Sequence, residues 1–180
     1  MEHLTRVQLQ AGLGEIRAAP RDQGRLEMIV VRPATDQRQV LESCRLTRER
    51  GCEGDDWLQK YTDSGETPDP RTQLTLMNAR CAQLISGDRD RWPLAGDQLF
   101  VDLDLGDANL AVGQRLAIGE VVVEITAEPH TGCAKFAARF GVDALKFVNM
   151  GEGAQLKLRG IYAMVITEGE VHQSDLTRKL

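Results

Sequence analysis

The stretch Arg115-Leu-Ala-Ile-Gly-Glu-Val-Val-Val-Glu-Ile125 decides the fold class. Its two arms, Arg115–Ile118 and Val121–Ile125, flank the pair Gly119-Glu120. Two short β-prone runs separated by two residues, the first of them glycine, are typical of a β-hairpin, because glycine tolerates the backbone of a tight hairpin turn. The stretch therefore predicts two antiparallel strands, and it leads us to look for further strands on either side.

The rest of the chain carries more runs with strand character. In residues 99–105 every second side chain is apolar and those between are mostly polar, which is the period of a half-buried strand. Comparable runs predict strands at 4–9, 26–31 and 39–46, and a second hairpin formed by 161–166 and 170–172 around Glu168-Gly169.

Helix patterns are fewer. Apolar residues of 133–140 recur at i, i+3, i+4 and i+7 and are followed by Gly141, a typical residue at a helix C-terminus. A second short helix is expected over 142–148, and residues 76–85 are expected to pass from strand to helix. Many short strands with few helices predict a mainly β (α+β) fold, a closed or nearly closed β-barrel with a few short helices.

The organisation of the chain is simple. We expect a single domain over residues 1–180, without an internal repeat. Residues 48–70 and 86–96 are rich in turn-forming residues and are interpreted as long surface loops. Loops of this length are uncommon in compact domains, and functional lids are one reason for them.

Composition narrows the functional classes. The 180 residues are 42% apolar and 27% charged, as in an ordinary globular domain. A net charge of −5 argues against nucleic acid as a partner, although a local basic pocket could still hold a small anion. No apolar run approaches membrane-spanning length and the chain starts without an apolar leader, so we expect a cytoplasmic protein. Its four cysteines have no metal-site spacing and are expected to be reduced.

The segment Glu-Pro-His-Thr-Gly-Cys-Ala-Lys-Phe, residues 128–136, places Cys133 where a loop is expected to become a helix. With Thr131 as the expected N-cap, free N–H groups and the helix dipole would favour the thiolate, which is the nucleophile and the metal ligand. Lys135 and a protonated His130 would add to that field. Two interpretations stand together: Cys133 is reactive, or it is a small core hydrophobe on the apolar helix face.

Three further residues carry candidate chemistry. His130 could serve as a base for Cys133 if the two side chains meet, or it could be a solvated loop histidine. Lys157 and Arg159 would share one face if their stretch is extended, and an arginine can clamp a phosphate or carboxylate with two hydrogen bonds. The alternative is that these charges protect an exposed strand edge.

Two acidic segments are interpreted as turns. Gly54-Asp55-Asp56 lacks the ligand spacing of a calcium loop, and glycine and aspartate favour tight turns. Gly96-Asp97-Gln98 is interpreted in the same way, except that the amide of Gln98 could contact a ligand. The remaining cysteines have no polar group around them in sequence and are interpreted as structural: Cys44, Cys52 and Cys81.

Several short motifs, taken in order, resemble one family. They are Gly51-Cys52-Glu53-Gly54-Asp55, Arg71-Thr72-Gln73-Leu74-Thr75-Leu76, Gly96-Asp97-Gln98-Leu99, Gly113-Gln114-Arg115-Leu116-Ala117-Ile118-Gly119, Pro129-His130-Thr131-Gly132-Cys133-Ala134-Lys135-Phe136 and Arg159-Gly160-Ile161-Tyr162. Over roughly residues 10–175 this series resembles the MOSC domain, which is named for the C-terminal domain of the pyridoxal-phosphate-linked molybdenum cofactor sulfurases.

The resemblance implies a barrel of the MOSC or pyruvate-kinase-barrel type and a functional cysteine. The family's cysteine matches Cys133, which implies a ligand for molybdenum or sulfur, and the implied cofactor is the molybdenum cofactor, molybdopterin. Arg159 matches the basic position before the last hairpin, and Gly54-Asp55 matches the Gly-Asp turn. Together with the local chemistry, the expected cofactor-binding residues are Cys133, Thr131, Lys135, Arg159, Lys157, Gln98 and Arg71.

The chain also departs from the family pattern. It has neither the pyridoxal-phosphate transferase domain of the sulfurases nor the extra N-terminal β-domain of the amidoxime-reducing relatives. Gln98 stands where many members have asparagine, and Gln173-Ser174-Asp175 stands where a Gly-Asp turn is frequent. Fold and cysteine therefore transfer from the family more directly than the substrate does.

Three functions remain open from the sequence. The first is a molybdenum-cofactor-binding enzyme or subunit, with Cys133 on the metal and Arg159 and Lys135 on the anionic pterin, which reduces small N-oxygenated substrates with electrons from a partner protein. The second is a sulfur carrier in which Cys133 holds a persulfide received from a sulfur-donor protein. The third is a non-catalytic barrel that binds a small anion, with Cys133 serving only for packing.

Overall fold

The computed structural model describes residues 3–180. The strands are β1 (Gln23–Val31), β2 (Gln39–Leu41), β3 (Ser43–Thr47), β4 (Gly51–Cys52), β5 (Leu74–Asn78), β6 (Leu99–Asp102), β7 (Arg115–Ile118), β8 (Val121–Ile125), β9 (Ile161–Thr167), β10 (Gly169–His172) and β11 (Leu176–Lys179). The helices are α1 (Arg6–Ala11), α2 (Leu13–Arg17), α3 (Trp57–Ser64), α4 (Ala79–Ser86), α5 (Ala134–Phe140), α6 (Val142–Asn149) and α7 (Glu152–Gln155), with 3₁₀ turns at Pro70–Thr72 and Arg89–Ala95.

Seven strands close into a mixed β-barrel, as the sequence predicted. Their order is β11-β7-β8-β9-β5-β6-β1, and β1 pairs back onto β11 to close the circle. β5 and β6 run parallel, whereas the other neighbours in the barrel are antiparallel. Gly24 allows β1 to lie close to β6, because a Cβ there would collide with the backbone oxygen of Asp102 on β6. β2 extends the edge beside β1, and β10, β3 and β4 form a small separate sheet.

The hairpin predicted from residues 115–125 is present with the expected bounds. Ile118 pairs with Val121 across the two-residue turn, and Gly119 adopts a positive φ of 56°. Along β8 the side chains alternate between buried and half-buried. This alternation directs one face of the strand into the barrel and the other outward, as expected for a period of two.

Two apolar clusters hold the molecule together. One fills the barrel and includes Leu26, Leu76, Leu99 and Val123, all without exposed surface. The other lies between the barrel and the helices and is built around Phe136 and other side chains of α4, α5 and α6. Each large apolar side chain buried in this way contributes roughly 1.5–3 kcal/mol relative to exposure.

The sequence interpretation was wrong in some segments. Residues 4–9 do not form a strand, because Thr5 caps α1: its hydroxyl accepts from the Gln8 N–H at 3.4 Å, and its N–H donates to the Gln8 side chain at 2.9 Å. The predicted strand at 39–46 is split into β2 and β3. The second hairpin does not form, since β10 pairs with β3 and not with β9. The predicted loop at 48–70 contains β4 and α3.

The cysteines also differ from expectation. Cys44 and Cys52 form a disulfide that joins β3 to β4, where reduced thiols were expected. Cys81 is a fully buried free thiol, and burial raises its pKa to about 12. It is therefore structural, as predicted. Within residues 3–180, no helix combines the length and the apolar character needed to cross a membrane.

Candidate functional site

A cavity of about 380 Å³ lies where β1 ends and where β6 and β9 begin. We call it the arginine cavity, because Arg32 and Arg159 both line it. Trp57, Lys60 and Tyr61 of α3 form another wall, so part of the predicted long loop does border a cavity. The remaining lining includes Thr75, His130 and Tyr162.

Arg32 is held by a fully buried carboxylate. Its Nε and Nη2 donate to the two oxygens of Asp55, each at 2.8 Å, and its Nη1 donates to the carbonyl of Gly96 at 3.1 Å. Asp55 also accepts from the backbone N–H groups of Arg32 and Trp57 at 2.9 and 3.1 Å. Burial tends to lower the pKa of Arg32, but the hydrogen bond and charge of Asp55 outweigh it and raise the pKa. Arg32 is therefore a fixed cation.

Arg159 ends on a second buried carboxylate. Its Nη1 donates to Asp97 Oδ2 at 2.6 Å, and its Nη2 donates to the carbonyl of Ala95 at 3.0 Å. Its Nε has no hydrogen-bond partner in the described part of the chain, although Arg159 is only 8% exposed. The guanidinium also lies 5.2 Å from the ring centre of Phe136. Arg159 thus keeps one buried donor unused.

His130 is buried beside this pair, so it is not the solvated loop histidine that was one interpretation. Its Nδ1 lies 3.6 Å from Asp97 Oδ1, and both atoms lack hydrogen-bond partners among residues 3–180. The ring packs on Tyr162 with 4.6 Å between centres. Burial lowers the pKa of His130 to about 4, with Asp97 opposing the shift. His130 is therefore neutral at pH 7 and does not add to the cationic field predicted for it.

Gly160 leaves room for this arrangement. Its φ is 106°, and a Cβ there would lie 2.5 Å from the Leu76 carbonyl oxygen and 3.0 Å from His130 Nδ1. An alanine would be strained by its backbone and would press on both neighbours. The pair Arg159-Gly160, noted in the sequence for its basic residue, therefore also contains the residue that allows His130 to approach Asp97.

Residues 126–133 connect β8 to α5, and we call this segment the strap. At one end, the hydroxyl of Thr126 donates to the Arg71 carbonyl at 2.7 Å. At the other end, Asn149 of α6 accepts from the Gly132 N–H at 2.9 Å and donates to the Gly132 carbonyl at 3.2 Å. The strap is thus pinned on both sides of His130.

Cys133 ends the strap and is the N-cap of α5, so the expected N-cap role of Thr131 was wrong. The thiol is exposed. Its side chain makes no capping hydrogen bond of regular geometry. The backbone N–H groups of Phe136 and Lys135 at the helix start nevertheless lower the pKa of Cys133, with the larger effect from Phe136. Together they outweigh burial, which raises the pKa. The charges of Arg159 and Arg139 also lower the pKa. Cys133 is not one of the residues that line the arginine cavity.

The other basic residues that were predicted to bind the cofactor do not line the arginine cavity. Lys135 is exposed, with its Nζ 3.5 Å from Asp36. Lys157 has a positive φ of 51° after α7, so the stretch before Arg159 is not extended as expected. Its Nζ lies 3.1 Å from Asp107. Arg71 is exposed and pairs with Asp69 and Glu128, each at 2.8 Å.

Gln98 is fully buried. Its amide oxygen accepts from the Thr75 N–H at 2.8 Å, and its amide nitrogen donates to Asp55 Oδ1 at 3.3 Å. Gln98 therefore orients the carboxylate that holds Arg32. The predicted turn at Gly54-Asp55-Asp56 supplies that carboxylate, and its Asp55 directly precedes Asp56, the N-cap of α3.

Sequence reasoning missed several members of the site. Arg32 was not singled out from the sequence, and Asp97 was interpreted only as part of a turn. Their pairing with residues far along the chain leaves no local signal. Trp57 and Tyr61, spaced i and i+4, could have indicated a helix with an aromatic face inside the supposed loop.

Comparisons with known proteins give matches in structure only. No family model and no curated protein matches this sequence. Solved structures that match include YuaD from Bacillus subtilis, at 15% identity and a TM-score of 0.58 over 86% of this chain and 94% of that one. YiiM from Escherichia coli matches at 18% identity and a TM-score of 0.55, over 87% of this chain and 69% of that one. YiiM from Geobacillus stearothermophilus matches at 12% identity and a TM-score of 0.58, over 87% of this chain and 75% of that one. This chain therefore shares the fold of the YiiM and YuaD structures.

Proposed function

We propose that this chain is a MOSC-domain protein that binds the molybdenum cofactor, with Cys133 as the ligand of the metal. The fold shared with YiiM, a MOSC-domain protein, and the ordered motif series support the family. The observation that carries the proposal is Cys133 itself. It is an exposed thiol with a lowered pKa, and it lies three residues from His130, a wall residue of the arginine cavity.

The chemistry of the donors fits such a cofactor. A thiolate is a suitable ligand for a soft to borderline metal, and the lowered pKa of Cys133 favours that form. The cofactor carries a phosphate, and the arginine cavity is lined by three cationic side chains, those of Arg32, Lys60 and Arg159. Its volume of about 380 Å³ lies within the range of small-molecule sites.

The predicted binding residues would act at different distances from the ligand. Arg159 and His130 border the cavity directly, and Lys135 and Thr131 are close to Cys133 along the chain. Gln98 would act through Asp55 and Arg32, and Arg71 would act through Glu128 of the strap. Lys157 pairs with Asp107 beside a different cleft, which makes it the member of the set least connected to the arginine cavity.

When bound, the cofactor would supply the redox chemistry for reduction of a small N-oxygenated substrate, with electrons from a partner protein. The chain itself would supply the thiolate of Cys133 and the cations that hold the phosphate. His130 is neutral at pH 7, and neutral imidazole is the form that can accept a proton. Its low pKa makes it a weak base, so its predicted catalytic role depends on the proximity of Asp97.

Metal content tests the proposal directly. The protein is expressed with an intact supply of the cofactor and assayed for molybdenum after purification. We expect a stoichiometric amount in the wild type and in Cys81→Ala, and loss of the metal in Cys133→Ser. Wild-type protein without molybdenum under these conditions would contradict the proposal.

A persulfide carrier is the second candidate, because an exposed thiolate outside the lining of the cavity can be reached by a protein donor. Cys133 would attack the terminal sulfur of a persulfide on a desulfurase, take up that sulfur and release the donor cysteine as a thiolate. Intact mass spectrometry would then show one reducible sulfur adduct, absent in Cys133→Ala.

The third candidate, a non-catalytic barrel that binds a small anion, predicts that Cys133 has only a packing role. Labelling with iodoacetamide at pH 7 separates this candidate from the other two. The exposed, acidified thiol of Cys133 should react faster than a free cysteine in solution, and the buried Cys81 should stay unlabelled while the protein is folded. An inert Cys133 would favour the third candidate.

A further inference from the structure

A second cavity lies on the other side of His130 and Arg159. It has a volume of about 220 Å³ and is bordered by the strap, by Leu110 and Val112, and by residues of α6 and α7. We call it the strap cleft. His130 and Arg159 line both this cleft and the arginine cavity, so the two cavities meet at these residues.

One part of the wall of the strap cleft is apolar. Leu110 and Ile125 are each 3% exposed, Val148 is 1% exposed, and Ile161 and Ala154 complete this surface. The volume lies below the roughly 300–1,000 Å³ typical of sites for drug-sized ligands. The cleft therefore suits a small molecule with an apolar body.

The charged groups at the cleft already have partners. Lys157 pairs with Asp107 at 3.1 Å, and Arg159 pairs with Asp97 at 2.6 Å. Glu128 pairs with Arg71 at 2.8 Å. Since the low pKa of His130 leaves it neutral at pH 7, no charge remains for a charged ligand to neutralise. A buried charge without a counter-charge is costly, so these pairs favour an uncharged occupant.

The Nε–H of Arg159 supplies the polar contact. Its other nitrogens donate to Asp97 and Ala95, but Nε has no acceptor in the described residues and is shielded from solvent. An unsatisfied buried donor costs roughly 1–3 kcal/mol, which an oxygen acceptor on a ligand would recover. The acceptor does not need to be charged, because Asp97 already balances the guanidinium.

We propose that the strap cleft binds a small uncharged molecule with an apolar body and a carbonyl-type oxygen, which accepts a hydrogen bond from Arg159 Nε. An aliphatic amide or ketone has this chemistry. The inference goes beyond the proposed function, because it requires neither the metal nor Cys133. It would hold if the cofactor proposal failed, and it could fail while the cofactor proposal held.

The test uses nuclear magnetic resonance on the full chain at pH 7, with pentanamide as the probe. Pentanoate and pentylamine are the charged analogues for comparison, because they have a similar carbon chain and carry opposite charges. We expect pentanamide to shift the Arg159 Nε–H signal saturably in the millimolar range, and each charged analogue to bind at least about tenfold more weakly, equivalent to 1.4 kcal/mol. The indole N–H of Trp57, which lines the arginine cavity, reports occupation of that cavity.

Two variants locate the site. Ala154→Phe should fill the cleft and reduce the affinity for pentanamide at least about tenfold, whereas Ala18→Phe, an exposed position after α2, should leave it unchanged. Arg159→Lys keeps a cation for Asp97 but removes the Nε–H donor, and it should reduce the affinity for pentanamide by a similar factor. The proposal is wrong if no saturable shift occurs, if pentanoate binds as well as pentanamide, if Trp57 responds in place of Arg159, or if Ala154→Phe binds normally.

Discussion

Arg32 and Arg159 border the same cavity and both end on a carboxylate with no exposed surface, yet their surroundings differ in completeness. Asp55 accepts two parallel hydrogen bonds from the Arg32 side chain and two more from backbone N–H groups. Asp97 accepts a single hydrogen bond from Arg159, and Asp97 Oδ1 and Arg159 Nε have no hydrogen-bond partner in the described chain. The first pair is saturated, whereas the second has polar capacity left over.

Because the two ion pairs differ in how many of their polar atoms have partners, we expect them to have different roles. A saturated buried pair orders the backbone around it, and here it ties the end of β1 to the turn before α3. A buried pair with unused atoms carries a cost that a bound molecule can reduce. We therefore expect damage to the Arg32 pair to act on stability first, and damage to the Arg159 pair to act on ligand binding and pH dependence first.

The largest expected effect is on the saturated pair. Asp55→Ala leaves Arg32 buried without its counter-charge and removes acceptors from two backbone N–H groups, so we expect a loss of about 3–5 kcal/mol in the free energy of unfolding. Urea denaturation measures it. Asp22→Ala is the matched control, since that carboxylate is 79% exposed and its loss should cost less than about 1 kcal/mol. Similar losses in the two variants would contradict the comparison.

The second expected effect concerns pH and belongs to the unsaturated pair. Burial lowers the pKa of His130 in the folded protein to about 4, from an ordinary value of 6.5. Below pH 6.5 the unfolded chain takes up a proton that the folded chain refuses until about pH 4. Stability should therefore fall across this window, by on the order of 3 kcal/mol in total.

The measurement is urea denaturation between pH 7 and 4.5 in wild type and in His130→Gln. The variant should lose less stability than wild type over this range, because it lacks the titrating ring, while carboxylates contribute equally to both. His172→Gln, at a 58% exposed histidine, should follow the wild type. Parallel pH profiles for wild type and His130→Gln would show that burial does not hold His130 neutral.

The barrel could be predicted from the sequence where the pattern was local. Residues 115–125 contain both strands and their turn, so pairing partners lie a few residues apart and their bounds agree with the structure. β10 has the same kind of local pattern, but its partner β3 is more than a hundred residues away, and nothing in 169–172 indicates that choice. Residues 4–9 carry a short apolar alternation that predicts a strand, but they also contain the capping signal Thr5-x-x-Gln8, and the helix that it starts is the one that forms.

The site was less predictable for the same reason. Cys133 and Arg159 could be singled out, the one from a helix start and the other from a basic motif. The residues that determine their surroundings come from distant segments: Asp97 from the start of β6, Arg32 from the end of β1 and Tyr61 from α3. Burial of His130 is a tertiary property, so the sequence left its protonation state open and the structure decides it.

The third expected effect tests the space between His130 and Asp97. Gly160→Ala combines a strained positive φ with contacts to the Leu76 carbonyl and to His130, so we expect a loss of roughly 2–3 kcal/mol. Gly113→Ala is the control, because its φ of 83° is also positive but nothing lies within 4 Å of the added Cβ, and about 1 kcal/mol is expected. Chemical denaturation of both variants gives the difference. Equal losses would mean that the packing against His130 contributes nothing.

The smallest effect separates the two arginines by exchange for lysine. Arg32→Lys loses one of the two parallel hydrogen bonds to Asp55, whereas Arg159→Lys can keep its single hydrogen bond to Asp97. We expect Arg32→Lys to be less stable than Arg159→Lys by about 1 kcal/mol in urea denaturation. The order should reverse for pentanamide affinity, which Arg159→Lys weakens and Arg32→Lys leaves near the wild-type value. If one variant were the weaker in both measurements, the saturated and unsaturated pairs would not have separate tasks.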